Sequence, residues 1–322
     1  MNSFAYRPII SSPRLVRLSN RLTYGSLTYR AMSTSTSSPP LGPAPWRKLF
    51  LEHVQAMPSP EFTLSTVRKI SSPEGTIYSP RARTCVFRGL FAGLPVNPKN
   101  DAELNPDVYE TDFPTFTTDC RMDKMVELFG AEEKTDDGNG KEKEIRGSGG
   151  GAPVEAVFWV KETGTQWRVR GKAYVLAPDV EDSPEGKEVI SLLTERMRRR
   201  KDNSSSDEGW SFSREITAHF GNLSPLMRGS FRNPPPGTPV TLPVGDDRLK
   251  LGQKVTDLED EVARANFRVV VIVPEGVDRT DLSDPERGRR WLYTFVGRKS
   301  GKQSTAPGGV VEEGWEKVEV WP

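Results

Sequence analysis

Two cysteines, Cys85 and Cys120, are too few for a disulfide framework or a cysteine-ligated metal cluster. One sits in a β-type run and the other just before a helix-like stretch. Free buried thiols are therefore expected, and with them a reducing compartment. Histidine is equally scarce. His53 and His219 both fall in helix-like stretches and fit no metal spacing. No apolar run approaches the ~20 residues that cross a bilayer, so no membrane partner is expected. The formal net charge is only +1, which leaves no general basic footprint for nucleic acid. There is no G-x-S-x-G elbow, no G-x-G-x-x-G turn and no phosphate loop ending in Gly-Lys-Ser/Thr.

Acidic residues are absent from residues 1–45, which hold five arginines: Arg7, Arg14, Arg17, Arg21 and Arg30. The rest of the chain carries 40 basic against 44 acidic residues. An acid-free, Arg- and Ser-rich beginning suits a mitochondrial transit peptide. It equally suits a disordered tail, or a start at Met32. The expected location is cytoplasmic or mitochondrial. Residues 1–44 are read as a disordered segment and 45–322 as one domain. Polar insertions are expected near 131–152, 201–209 and 298–310, where acids, lysines, serines and glycines replace any apolar pattern.

What is present reads mainly as strands. The runs Phe62–Val67, Arg81–Leu90, Val108–Thr118, Val154–Lys161, Gln166–Leu176, Phe267–Val273, Arg290–Val296 and Trp315–Trp321 combine β-branched and aromatic residues with turn signals. Phe267–Val273 is the most apolar, so it is expected to be central. Helices are expected at Trp46–Met57, Arg121–Gly130 and Pro184–Arg200, with a helical pair over Trp210–Phe231. This predicts a mainly β chain with connecting helices, of the antiparallel barrel kind.

Cations cluster at two of these elements. Arg83-Thr84-Cys85-Val86-Phe87-Arg88-Gly89 is a strand with an arginine near each end and a glycine where it must turn. Phe116-Thr117-Thr118-Asp119-Cys120-Arg121-Met122-Asp123-Lys124 runs from a strand into a helix start. Cations are disfavoured by the dipole at a helix start unless an anion is present. Hydroxyls, backbone N–H groups and cations together can surround a phosphate. On chemistry alone, strand arginines are more often solvated surface charges. In Gln166-Trp167-Arg168-Val169-Arg170 the alternate residues Gln166, Arg168 and Arg170 share a face.

Together these strings resemble the flavin-mononucleotide-binding split barrels related to pyridoxamine 5′-phosphate oxidase, in an oxidase-like branch rather than the oxidase proper. The resemblance extends from about Pro45 to Pro322. It implies an FMN-binding split β-barrel of antiparallel Greek-key type, and a homodimer with the flavin between subunits. It implies FMN as cofactor, a small-molecule substrate and flavin-dependent oxidoreductase activity. The alternative is a flavin- or ligand-binding protein without turnover. By position, Arg83, Thr118, Arg121 and Lys124 are expected around the phosphate, Thr84 and Thr117 among the further cofactor-binding residues, and Gln166 on the isoalloxazine ring. Arg88, a lysine in the oxidase, is expected near flavin and substrate. Arg290, in the string Arg290-Trp291-Leu292-Tyr293, is expected on the flavin. The oxidase pattern is broken where an Arg-x-His should grip the substrate: Glu286 and Gly288 stand there. The family tryptophan one strand earlier is also missing, around Thr280.

Overall fold

In a computed structural model, residues 41–134, 145–200, 207–297, 304 and 306–322 are described. Residues 1–40 of the expected disordered N-terminal segment and the centres of the expected insertions lie outside them; the end of that segment is ordered, with Ala44 buried and its N–H donated to Asp112 Oδ2 at 3.1 Å. The chain opens with α1 (Arg47–Gln55), followed by the long strands β1 (Glu61–Ser72) and β2 (Gly75–Val86). Next come β3 (Tyr109–Glu110), β4 (Thr115–Asp119), α2 (Lys124–Leu128) and β5 (Glu132–Lys134). The hairpin β6 (Gly149–Val160) and β7 (Thr165–Leu176) leads to α3 (Pro184–Thr194) and β8 (Arg198–Arg199). Helices α4 (Phe212–Gly221), α5 (Pro225–Gly229) and α6 (Glu261–Asn266) precede β9 (Phe267–Asp281). The chain closes with β10 (Arg289–Phe295), β11 (Val310–Glu312) and β12 (Trp315–Val320).

Among the described residues ten strands form one sheet, in the order β11-β12-β10-β9-β7-β6-β1-β2, with β4 on β9 and β5 on β1. All pairings are antiparallel except β1 with β5. The mainly β, antiparallel expectation is met. Closure into a barrel is not: no continuous ladder joins β2 to β4. Past the end of β2, Arg88 N donates to Thr115 O at 2.8 Å, Thr115 N to Gly89 O at 2.9 Å and Phe91 N to Phe113 O at 2.9 Å. These bonds bring the two edges together at one corner only. The break follows from Gly89, whose φ of +107° turns the chain; a Cβ there would lie 2.3 Å from Pro95 Cδ.

Strand β9 explains its own composition. Phe267, Val269, Val271 and Val273 join a core with α3 and α4, while Val270 and Ile272 join another with Trp46, Phe50, Phe158 and Trp167. A strand buried on both faces reads as an unbroken apolar run. In the second core, Phe50 sits edge-on to Phe158 at 5.1 Å and to Trp167 at 5.6 Å. Helices α3, α4, α5 and α6 start at Ser183, Ser211, Ser224 and Asp260, each of whose side chains accepts a backbone N–H three residues on.

Several boundaries differ from the sequence expectation. The first two strands, twelve residues each, form one hairpin turning at Pro73-Glu74. Its tip is exposed from Pro73 to Tyr78, so no alternation of burial marks it. Helix α2 begins at Lys124 rather than Arg121. The Asp119 carboxylate accepts the Arg121 backbone N–H at 2.8 Å and holds the intervening residues in a turn. The edges of the expected insertion at 131–152 are built into the sheet. Glu132–Lys134 pair with β1, and Gly149 pairs with Val175. Ser148 is buried and bonded to Asp179. Likewise Val310–Glu312, at the end of the expected loop 298–310, pair with β12.

Candidate functional site

The core-facing side of β2 places Arg83 opposite Leu64 and Cys85 opposite Phe62. Arg83 donates one guanidinium nitrogen to the Thr66 hydroxyl and another to the Glu127 carboxylate. Glu127, on α2, is buried, and Thr66 Oγ1 also donates to it. Lys124, one turn earlier on the same helix, donates from Nζ to Thr118 Oγ1 at 3.1 Å. Burial pushes the Lys124 ammonium below its usual range and Arg83 adds to the depression, while the Asp119 and Glu127 carboxylates oppose it. Burial likewise raises the Cys85 thiol. Arg83, Cys85, Thr118 and Lys124 thus form one corner where β2, β4 and α2 meet. Two cations share it, one carboxylate is tied to Arg83, and Lys124 is in no ion pair among the described residues.

Other expected members stand elsewhere. Arg121 is locked. Its Nε and Nη2 bond the two Asp119 oxygens at 2.9 and 2.6 Å, and Nη1 bonds Asn233 O at 2.9 Å. With its side chain 6% exposed, it fastens the β4–α2 turn to the chain around Phe231. It does not share a helical face with Lys124, since the helix has not begun. Thr84 is exposed on the outer side of the sheet, and Thr117 alternates away from buried Thr118.

Gln166 and Arg290 form a second group. Gln166 pairs with Thr280 on β9, and Thr280 pairs with Arg290 on β10, so the three stand in one row. Arg290 grips the buried carboxylate of Asp278 with two bonds, at 3.0 and 2.7 Å. Arg168 Nη1 approaches the same carboxylate at 3.8 Å and its Nε donates to Glu155 at 2.9 Å. This row faces outward. Leu64, Ala156 and Val169 mark the core side across β1, β6 and β7, and Gln166 and Arg168 alternate with the core residues of β7. Arg83 and Gln166 therefore lie on opposite faces of one sheet.

Arg88 belongs to neither group. It lies just past the end of β2, before the Gly89 turn, with its Nε buried and without a hydrogen-bond partner. Burial lowers its pKa, and its charge helps to lower that of His219 on α4.

Three residues that organise these groups were not anticipated: Thr66, Glu127 and Asp278. Glu127 had a signal, an acid standing between Met125 and Leu128 on an otherwise buried helix face. Asp278 had none, because an acid in an alternating strand reads as solvated. Both cysteines are free. No group of three or more metal-ligating side chains exists among the described residues, and no described helix is long and apolar enough to cross a membrane.

Comparison with known proteins places these residues in context. Residues 43–177 match the family described as pyridoxamine 5′-phosphate oxidase, FMN-binding domain. Of the nine expected site residues, all but Arg290 fall inside that segment. A curated relative, the uncharacterized protein YGR017W of Saccharomyces cerevisiae, is 21% identical over 331 residues, covering 87% of this chain and 98% of that one. Among solved structures, a pyridoxamine 5′-phosphate oxidase-related, FMN binding protein from Nostoc punctiforme aligns over 88% of this chain and all of its own. It is 18% identical, with a TM-score of 0.47. PhzG from Burkholderia lata, solved with tetrahydrophenazine-1-carboxylic acid, aligns over 88% of this chain and 94% of its own. It is 14% identical, with a TM-score of 0.38.

Proposed function

Given a match to the pyridoxamine 5′-phosphate oxidase FMN-binding domain over residues 43–177, we propose that this chain binds FMN and works as a flavin-dependent oxidoreductase on a small-molecule substrate. One observation carries the reading: the corner of Arg83, Thr118 and Lys124 assembled from β2, β4 and α2. A partly buried ammonium whose neighbouring carboxylates, Asp119 and Glu127, stand beyond ion-pair distance is costly unless an anion completes it. Lys124 and Thr118 supply donors to a phosphate, and the Arg83 guanidinium has N–H groups beyond those used by Thr66 and Glu127. The donor set fits a phosphate monoester. Bound FMN would supply the hydride chemistry; the protein would hold, orient and shield it.

Gln166 on the outer row offers the paired donor and acceptor that a flavin ring edge needs. One copy does not bring that row to the phosphate corner, because the two lie on opposite faces. A homodimer, in which one copy's outer row approaches the other's corner, would complete the site. Apolar residues flank that row: Trp159 is 50% exposed and Trp321 92% exposed.

A reading without turnover has its own support. Arg290 is held by Asp278, and an exposed Glu286 and a half-buried Gly288 occupy the turn before β10 where substrate-gripping cations are expected. The experiment is the absorbance spectrum of purified protein with mass analysis of any released ligand, followed by anaerobic reduction and reoxidation in air. A flavin spectrum with FMN released supports the cofactor; a colourless protein that takes up no added FMN ends the reading. A bound flavin that cycles supports the oxidoreductase, and one that cannot be reduced by any donor supports the binding protein.

A further inference from the structure

The loop from Ala92 to Asp107 and helix α4 line a solvent-open pocket of about 330 Å³, away from the corner and the outer row. Leu94, Val96, Leu104 and Trp210 give it an apolar and aromatic lining. Glu215 also lines it, although that residue is only 5% exposed. Its Oε1 accepts the Ala92 backbone N–H at 3.2 Å and its Oε2 accepts Asn105 Nδ2 at 3.0 Å. Both donors are neutral. Ala92 is one of two non-glycine residues with positive φ, at +56°, among the described residues. The chain thus accepts backbone strain at the point where it aims that N–H.

The carboxylate is short of a counter-charge. Arg200, at the same cavity, is paired with Asp107 at 2.9 Å. The ionisable neighbour of Glu215 is His219, whose Nε2 stands 3.8 Å from Oε1. His219 is fully buried, and neither of its nitrogens has a hydrogen-bond partner. Burial, with help from Arg88, lowers its pKa to about 3, so at neutral pH it carries no charge. Burial alone raises the Glu215 pKa, and no cation offsets it. Buried carboxylates are normally paired or neutralised.

We propose that this cavity binds a small organic cation, an amine on an apolar or aromatic body, with the ammonium on Glu215 and the body against Trp210 and Leu104. The charge would gain a buried acceptor and an aromatic face together. Nothing in the proposal depends on flavin.

The test is calorimetric titration of the full-length protein near neutral pH with benzylamine and with its neutral counterpart, benzyl alcohol. Benzylamine should bind about tenfold more tightly or better, the margin expected of a charge-assisted contact. Glu215→Gln should remove that margin. Leu104→Trp, at a partly exposed position, should fill the cavity and abolish binding of both without changing the melting temperature. Equal affinity for amine and alcohol, no binding of either at millimolar concentration, or unchanged benzylamine binding in Leu104→Trp would each overturn the proposal. The amine-to-alcohol ratio and Leu104→Trp decide the matter even if Glu215→Gln fails to fold.

Discussion

Arg83 and Glu127 form an ion pair between the second strand and the helix that follows β4, with the Thr66 hydroxyl bonded to both. Glu127 is 1% exposed at its side chain and Arg83 22%. The pair fixes the guanidinium beside Lys124, so one cation of the proposed phosphate corner is also a structural member.

That double role separates two substitutions that family position alone would treat alike. Arg83→Ala should cost about 3 kcal/mol of stability, because it leaves the buried Glu127 carboxylate unpaired. Lys124→Ala should cost far less, since no ion pair is broken. Thermal melts of the two variants check this. The double variant Arg83→Met with Glu127→Leu should melt above Arg83→Ala; if it does not, the pair is not what Arg83→Ala disrupts.

For flavin affinity Lys124 is the cleaner probe. Lys124→Ala should weaken FMN binding by about 1.5–3 kcal/mol, the worth of a hydrogen bond to a charged group. Thr118→Val should have a smaller effect in the same direction. Quenching of flavin fluorescence on titration with protein gives both constants. Unchanged affinity in a folded Lys124→Ala protein would remove the phosphate corner.

Arg121→Ala should behave in the opposite way. Its guanidinium is consumed by Asp119 and by the carbonyls of Phe231 and Asn233. The variant should lose about 3 kcal/mol of stability, the scale of a broken buried pair. The FMN dissociation constant of what remains folded should be nearly unchanged. A large loss of affinity with an unaltered melt would return Arg121 to the site.

His219 makes stability fall in acid. Its folded pKa of about 3 lies below the ordinary 6.5, so the unfolded chain takes up a proton that the folded one refuses. The contribution is fully present above pH ~6.5 and is lost as pH falls toward ~3, at about 1.4 kcal/mol per unit. Glu215 acts with the opposite sign. Its raised pKa means that stability is gained as pH falls through its folded value toward the ordinary one. Urea melts between pH 7 and pH 5 should show a flatter dependence in His219→Gln than in the parent. Parallel curves would show that the histidine is not buried neutral.

Pyridoxamine 5′-phosphate should be a poor substrate. An exposed Glu286 and a half-buried Gly288 precede β10, and an acid beside a substrate phosphate repels it while glycine offers no side-chain donor. Oxygen uptake by FMN-loaded protein, followed with an electrode, is the measurement. Uptake that scales with protein concentration would show that the turn before β10 is not where selection happens.

The sequence by itself determined the class of the fold and the cation-bearing strings. Alternating β-branched runs can bury one face only as strands, and the unbroken run Phe267–Val273 can be satisfied only by burial on both faces. The grouping of Arg83, Thr118 and Lys124 was legible only through the family resemblance, because by chemistry alone such cations read as solvated surface charges. Tertiary structure alone decided which cations are free. Arg121 and Lys124 are three residues apart and look equivalent, yet one is clamped by Asp119 while the other is not. Arg290 and Arg83 acquire acidic partners from strands and helices remote in the chain. Pairing of charges depends on register across the sheet and on burial, neither of which a local pattern encodes. The same holds for Gln166: alternation shows that it shares a face with Arg168, but only the order of strands shows that this face is turned away from Arg83.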